Sequence, residues 1–223
     1  MAWMLGGAKA SYEVPLPKPG ESCRGILDSY TKQHSAEYQA QAWIDLAFRL
    51  RGRIPDLRAI KSVLIHTSHH THAVIGSGAN DPQKYDSCAS RETLDHSLMF
   101  IFAAALHTGF WHHVRSYSPI VAKHPRVMEL WNKIKTVEDP EWTRRYHSTN
   151  PAEKAFGGRV EITFDDGGML LDQIAVADAH PLGAKPFARA DYIRKFQTLT
   201  EELISREESE RFIDAAQQLA ELS

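Results

Sequence analysis

Apolar residues recur at helical spacing in several stretches of the chain. The clearest stretch predicts a helix over residues 36–51, capped by Ser35 and followed by Gly52. Its apolar stripe consists of Ala40, Trp43, Ile44, Ala47 and Leu50. A second helix is predicted from Ser90 to just before Gly109. Its stripe consists of Leu94, Leu98, Ile101, Phe102 and Ala105. A third helix is predicted over residues 125–135, from the spacing of Val127, Leu130, Trp131 and Ile134.

Two amphipathic helices are predicted after Pro186. The first presents Tyr192, Phe196, Leu199 and Leu203 on one face. The second opens with a capping box from Ser205 to Glu208 and carries Phe212, Ala216 and Leu219. A small sheet cannot bury both stripes, so we expect these helices to pack on each other or on a helical body outside this sequence.

The strand patterns are short. Residues 25–31 are a weak candidate, and Ile60 to Ile65 form an apolar run. Apolar and polar residues alternate over 160–164 before the turn signal at 165–168, which predicts a hairpin whose second strand runs to about residue 176. Together these elements predict an α+β fold: a small α/β domain with a mixed or antiparallel sheet, followed by a C-terminal helical tail. Residues 1–24 are predicted to be an irregular lead-in.

The composition is that of an ordinary globular protein, with 43% hydrophobic and 24% charged residues. The formal net charge of -2 gives no electrostatic reason to expect nucleic acid or a membrane surface as a partner. No apolar run approaches the roughly 20 residues of a membrane-spanning helix. Two cysteines, Cys23 and Cys88, indicate no disulfide framework, so a reducing, cytoplasmic location is expected.

Histidines cluster at positions 66, 69, 70 and 72. Imidazole titrates near neutrality, so this cluster suits a metal site, acid/base chemistry or carboxylate binding. Its spacing does not match the HExxH zinc helix. If the preceding strand continues, His66, His70 and His72 share one face, whereas a helix starting near Ser68 puts His69 and His72 together. Purely structural roles are the alternative.

Two other groups carry candidate chemistry. Lys32 and His34 precede the first predicted helix, whose free N–H groups suit an anion. They can hold a carboxylate or move a proton, or be an ordinary surface lysine and a helix-start histidine. Asp95 and His96 are adjacent and therefore do not form a dyad on one helix face, so His96 is interpreted as a core or interface histidine. No nucleophile elbow, phosphate loop or dinucleotide fingerprint is present.

Five segments in this order resemble the MmgE/PrpD family. They are His69–Gly76, Asp81–Asp86, Ala89–Ser97, Thr136–Trp142 and Ala177–Ala184. The resemblance covers about residues 25–205. It implies a two-domain design, with a large helical N-terminal domain and a smaller α/β lid. Residues 25–185 would be the lid, residues 186–223 would be helices that return to the helical domain, and that domain itself is expected to be absent from this chain.

The resemblance also implies an activity. Family members act on tricarboxylates with no required metal or organic cofactor, and the expected reaction is dehydration of 2-methylcitrate to 2-methyl-cis-aconitate in propionate breakdown. This reaction needs a base for a carbon-bound proton, an acid for the departing hydroxyl, and cations for three carboxylates. A homodimer is expected, and the isolated chain is expected to be inactive.

The resemblance implies roles for particular residues. The expected catalytic residues are Lys32, His34, His69 and His70, and the expected substrate-binding residues are Lys32, Arg91 and His96; no metal ligand is expected. Lys32 corresponds approximately to a family lysine. Several relatives carry a histidine where Gln39 follows the Ala-Glu-Tyr triplet in this chain, so His34 is the substitute for it. The rival interpretations are another family enzyme, such as a cis-aconitate decarboxylase or an epimerase, and a non-catalytic fragment or interaction module.

Overall fold

The computed structural model describes residue 16, residues 18–21 and residues 29–219. This part of the chain contains nine α-helices and a four-stranded sheet. The chain divides into two units, residues 1–30 and residues 31–223. In the first unit, the backbone N–H of Lys18 donates to Oε2 of Glu21 at 2.9 Å across a turn. The elements described below all belong to the second unit. None of the described helices is long and apolar enough to cross a lipid bilayer.

The sheet is mixed. Its strands are β1 (Ile60–Thr67), β2 (Ile134–Glu138), β3 (Gly158–Phe164) and β4 (Met169–Ile174). Their order is β2-β1-β3-β4. β1 runs parallel to β2 and antiparallel to β3, and β3 and β4 form the predicted hairpin. This architecture confirms the predicted α+β class.

The helices lie before, between and after the strands. They are α1 (Gln41–Arg51), α2 (His69–Val74), α3 (Arg91–Asp95), α4 (Leu98–Thr108), α5 (Pro119–Ala122), α6 (Pro125–Lys133), α7 (Pro140–Tyr146), α8 (Arg189–Thr200) and α9 (Arg206–Gln217).

Helix α4 lies at the centre of the core. Its residues 98–106 are buried, because it is apolar on every side and packs against both α1 and α6. Phe102 meets Trp43 of α1 edge-on at 6.5 Å between ring centroids, and Phe100 meets Trp131 of α6 at 5.1 Å. The core therefore fixes α1, whose N-terminal end carries the segment with the first candidate residues.

Several predicted elements are corrected. The helix predicted from Ser90 is broken into α3 and α4 at His96, because Ser97 caps α4 and its hydroxyl donates to the carbonyl of Lys84 at 2.7 Å. The third predicted helix ends at Lys133, where β2 begins. Helix α7 was not predicted.

The beginning of the chain also differs from the prediction. Ser35 does not cap α1, which starts at Gln41 after a 3-10 turn over Tyr38–Ala40 that Glu37 caps. Of the weak strand predicted over 25–31, residues 25–28 lie outside the described residues, and residues 29–31 are not in a strand.

The two C-terminal helices form as predicted. Ser205 accepts from the backbone N–H of Glu208, as the capping box requires. Phe196 stacks on Phe212 with ring centroids 4.9 Å apart. Phe212 is nevertheless 50% exposed and Leu203 is 78% exposed. That these helices also pack on a further helical body stays a prediction, as does the division into residues 1–24, 25–185 and 186–223.

Candidate active site

The segment before α1 has no regular secondary structure, but side chains hold it in place. Oε1 of Gln41 accepts from the backbone N–H of His34 at 2.8 Å, and its Nε2 donates to the carbonyls of His34 at 3.0 Å and Ala36 at 3.1 Å. The hydroxyl of Tyr117 lies 2.7 Å from the carbonyl of Ser35. These contacts fix the backbone of residues 34–36.

Glu37, Gln39, His70 and Tyr146 form one connected group, which we call the Glu37 cluster. With the Gln39 amide oxygen turned toward His70, it accepts from Nε2 of His70 at 3.0 Å and from the Tyr146 hydroxyl at 3.3 Å. The amide nitrogen then donates to the Glu37 carboxylate. The His70 ring stacks on Tyr146 with centroids 5.2 Å apart. A carboxyl group, an amide, an imidazole and a phenol are thus linked on one surface.

Burial shifts the ionisation of this cluster. It raises the pKa of Glu37, against the opposing effects of the backbone N–H groups of Gln39 and Tyr38 and the charges of Lys32 and His96. Burial, with the neighbouring His147 and His69, lowers the pKa of His70. Burial also raises the pKa of Tyr146.

These shifts define what the Glu37 cluster can do chemically. A carboxyl group with a raised pKa exchanges a proton more readily near neutrality, and a neutral imidazole can accept one. Lys32 and His96, two of the predicted substrate-binding residues, both act electrostatically on the Glu37 carboxylate.

His34 lies elsewhere. Its side chain is buried, and its Nε2 lies 2.8 Å from Oδ1 of Asp45. The other Asp45 oxygen accepts from the backbone N–H of Asp178 at 2.8 Å. The His34 ring meets Phe48 edge-on at 5.8 Å and lines a cavity between α1 and α8. The structure therefore pairs His34 with Asp45 and not with His70.

His69 and Arg91 have partners of their own. Nδ1 of His69 lies 2.8 Å from Oε2 of Glu138, and its side chain is 63% exposed. The Arg91 guanidinium lies over the Tyr117 ring at 4.7 Å from the centroid. These two predicted residues do not contact the Glu37 cluster through a hydrogen bond of the described residues.

His96 ends α3 with a partly exposed side chain. Its Nδ1 lies 3.0 Å from the carbonyl oxygen of Glu92 and 3.7 Å from Oδ2 of Asp95. The second distance is longer than a hydrogen bond, so His96 is not oriented as one half of an Asp–His dyad.

A helix starts directly after Ser68, so the second of the two predicted arrangements of the histidines is the one in the structure. Ser68 caps α2, which begins at His69. Nδ1 of His72 lies 2.7 Å from Oγ1 of Thr136, and His66 in β1 lies 3.2 Å from the Glu161 carboxylate. The histidines thus have separate partners. Across the described ranges 18–21 and 29–219, no group of three or more His, Cys, Asp or Glu residues is arranged to hold a metal ion.

Sequence reasoning missed Glu37 and Tyr146 as members of the site. Tyr146 is 107 positions from Gln39, and only the docking of α7 brings them together. The raised pKa of Glu37 depends on burial, which no local pattern in the sequence reveals. The one usable signal was the position of Glu37 between Lys32 and Gln39.

Comparison with known proteins identifies relatives. The MmgE/PrpD C-terminal domain matches residues 34–221. A 2-methylcitrate dehydratase of Cupriavidus necator is 28% identical over 156 residues, which cover 68% of this chain and 30% of that protein. A probable 2-methylcitrate dehydratase of Saccharomyces cerevisiae is 28% identical over 189 residues, covering 78% of this chain and 34% of that protein.

A third relative, a mitochondrial 2-methylcitrate dehydratase of Yarrowia lipolytica, is 28% identical over 152 residues, covering 66% of this chain and 27% of that protein. The chain spans about a third of the length of the curated relatives that it matches. These names support a family of dehydratases and confirm the resemblance found in the sequence. Because the family match covers most of the chain, the chain belongs to the MmgE/PrpD C-terminal domain family.

Proposed function

We propose that this chain is the C-terminal part of a hydro-lyase that converts 2-methylcitrate to 2-methyl-cis-aconitate and water. The observation that carries the proposal is the Glu37 cluster, in which a carboxyl of raised pKa and an imidazole of lowered pKa are linked through Gln39. The names of the relatives supply the substrate.

The chemistry assigns a role to each group. Dehydration breaks a C–H bond and a C–O bond, so a base takes the proton and an acid protonates the departing hydroxyl. Glu37 and His70 are the two proton-transfer groups of this proposal. Lys32 and His96 are assigned to the substrate carboxylates, because both act electrostatically on the Glu37 carboxylate and a cationic side chain stabilises a carboxylate.

In this proposal His34, His69 and Arg91 do not contact the substrate and instead hold neighbouring parts of the chain in place. His34 and Asp45 hold the segment that carries Lys32 and Glu37, and His69 holds the start of α2 through Glu138. Arg91 fixes Tyr117, whose hydroxyl contacts the carbonyl of Ser35. The tricarboxylate is enclosed from the opposite side by a helical domain, and the assembly is a cytoplasmic homodimer.

The test is an activity assay of the chain with the helical domain of a family member. We expect water loss from 2-methylcitrate only in the mixture, and a fall of about 100-fold or more in kcat for Glu37→Gln and for His70→Ala. Lys123→Ala, at an exposed position after α5, serves as the matched control and keeps full activity.

Product analysis by NMR decides between members of the family. Loss of carbon dioxide from cis-aconitate, or inversion at a substrate carbon, would replace dehydration with the decarboxylase or epimerase alternative. Full activity of both Glu37→Gln and His70→Ala would remove the Glu37 cluster from the mechanism. No turnover by any mixture would support the non-catalytic interpretation.

A further inference from the structure

A cavity of about 370 Å³ lies between α1 and α8, and the proposed function does not use it. Its lining includes His34 and Phe48 from α1 and the segment before it, and Phe187 and Lys195 from α8 and the segment before it. Trp111 and the two histidines after it also line the cavity. The cavity continues into a trough beside Arg49 and Lys185, which gives a ligand a route from solvent. Cavities of this size hold small organic molecules.

Three aromatic rings give the cavity flat apolar walls. The indole N–H of Trp111 donates to the carbonyl of Ser35 at 3.3 Å, which fixes that ring. Phe187 meets Tyr192 edge-on at 5.1 Å, and Phe48 meets His34 edge-on at 5.8 Å. Their contacts hold these rings in place, so they offer a preformed surface to a planar ligand.

Most charges around the cavity are already paired. Arg194 forms an ion pair with Asp191 one turn earlier on α8. His34 is paired with Asp45. Nε2 of His112, another lining residue, lies 3.1 Å from the Glu201 carboxylate. Because each of these side chains already has an oppositely charged partner, it attracts a charged ligand only weakly.

Lys195 is the exception. Its ammonium donates to a backbone carbonyl, that of Lys32, and within residues 29–219 it has no carboxylate partner. Burial and the nearby Lys32 charge lower the pKa of Lys195. A negative charge beside Lys195 would relieve that electrostatic cost, because a partly buried ammonium is stabilised by an opposite charge.

We infer that this cavity binds a small aromatic carboxylate, with its ring between Phe48, Trp111 and Phe187 and its carboxylate on Lys195. The aromatic walls favour a planar ring, and the Lys195 ammonium, which lines the cavity without a carboxylate partner among residues 29–219, favours a negative charge. None of the four residues of the Glu37 cluster lines this cavity, so we assign it a ligand other than the tricarboxylate of the proposed function.

The test is calorimetric titration of the full chain with benzoate as the probe. We expect saturable binding of one benzoate per chain. Benzyl alcohol lacks the charge and inorganic phosphate lacks the ring, so each is expected to bind at least about tenfold more weakly. Lys195→Met is expected to weaken benzoate binding by about tenfold or more, while Lys195→Arg retains most of it. The control Lys123→Met leaves binding unchanged.

Each opposite result overturns the inference. Benzyl alcohol binding as tightly as benzoate would indicate an apolar cavity only, and phosphate binding as tightly would indicate a general anion patch. Unchanged benzoate affinity in Lys195→Met would remove the proposed contact. If circular dichroism shows that Lys195→Met does not fold, Phe187→Ala replaces it, and unchanged affinity in that variant would equally refute the site. None of these readouts depends on dehydratase activity.

Discussion

Nε2 of His34 lies 2.8 Å from Oδ1 of Asp45, and both side chains are buried. The second oxygen of the same carboxylate accepts from the backbone N–H of Asp178. One side chain of α1 therefore ties together the segment before that helix and the segment after β4. The first segment lines the cavity between α1 and α8, and Asp178 lines the trough into which that cavity continues.

Asp45→Ala is expected to destabilise the fold. A buried donor, Nε2 of His34, and a partly buried one, the N–H of Asp178, lose their acceptor together, so the free energy of unfolding should fall by about 2–4 kcal/mol. Urea unfolding followed by circular dichroism measures it. Glu210→Ala removes the exposed ion pair with Arg206 and is expected to leave stability unchanged. Equal effects of the two substitutions would contradict the role given to Asp45.

Glu37→Gln is expected to change how stability depends on pH. Burial raises the pKa of Glu37 above its ordinary value of 4.5. A carboxyl with a raised folded-state pKa contributes stability that is fully present below its unfolded pKa and is lost as pH rises through the folded value. The variant has no carboxyl at this position and does not lose this stability as pH rises. The difference in free energy of unfolding between the variant and the unmodified chain should therefore shift in favour of the variant from about pH 4 to pH 7.

Thermal unfolding at a series of pH values measures this difference. Glu202→Gln, which changes an exposed carboxylate, should give a curve of stability against pH that is parallel to that of the unmodified chain. If the Glu37→Gln curve were parallel as well, the carboxyl would not be titrating in a buried environment.

Much of the fold could be predicted because its elements have clear periodicity. Helix α1 and the β3–β4 hairpin follow from apolar spacing and a turn signal. The break between α3 and α4 could not be predicted, since the apolar stripe continues through it and the break depends on a hydrogen bond from Ser97 to the distant Lys84. Strand β2 was missed because it is only 5 residues long and follows α6 directly.

The candidate site was only partly predictable for a similar reason. Residue type and resemblance pointed to Lys32, His70 and His96; Lys32 and His96 act electrostatically on Glu37, and His70 is linked to it through Gln39. The same reasoning grouped His34 with them, although a tertiary contact with Asp45 directs it into another cavity. Which side of an irregular segment a side chain faces depends on packing and not on local sequence.

Gly158→Ala is expected to destabilise the sheet. A methyl group there would overlap the carbonyl oxygen of His66 in β1 and lie 3.0 Å from the Trp43 ring. The strands would have to separate, which should cost about 1–3 kcal/mol or more. Gly52→Ala is the matched control, because its new methyl group would only meet the carbonyl of Arg49 at 3.9 Å. The denaturant concentrations at the unfolding midpoints of the two variants are compared. Equal midpoints would show that β1 and β3 leave room for a methyl group at Gly158.

Acid is expected to weaken the fold through its partly buried histidines. Burial is the main cause that lowers the pKa of His70, His72 and His180 below 6.5. A histidine with a depressed folded-state pKa binds fewer protons than it does in the unfolded chain. Its contribution to stability is therefore present above 6.5 and is lost as pH falls through the folded value.

NMR titration of the imidazole resonances tests this expectation directly. The midpoints of His70 and His72 should lie below 6.5, the ordinary value for the side chain. Replacing His70 with Gln should reduce the loss of stability on acidification, because one fewer buried ring must take up a proton. A His70 midpoint at or above 6.5 would mean that its ring is solvated, and it would then no longer be the neutral imidazole that the Glu37 cluster requires for proton transfer.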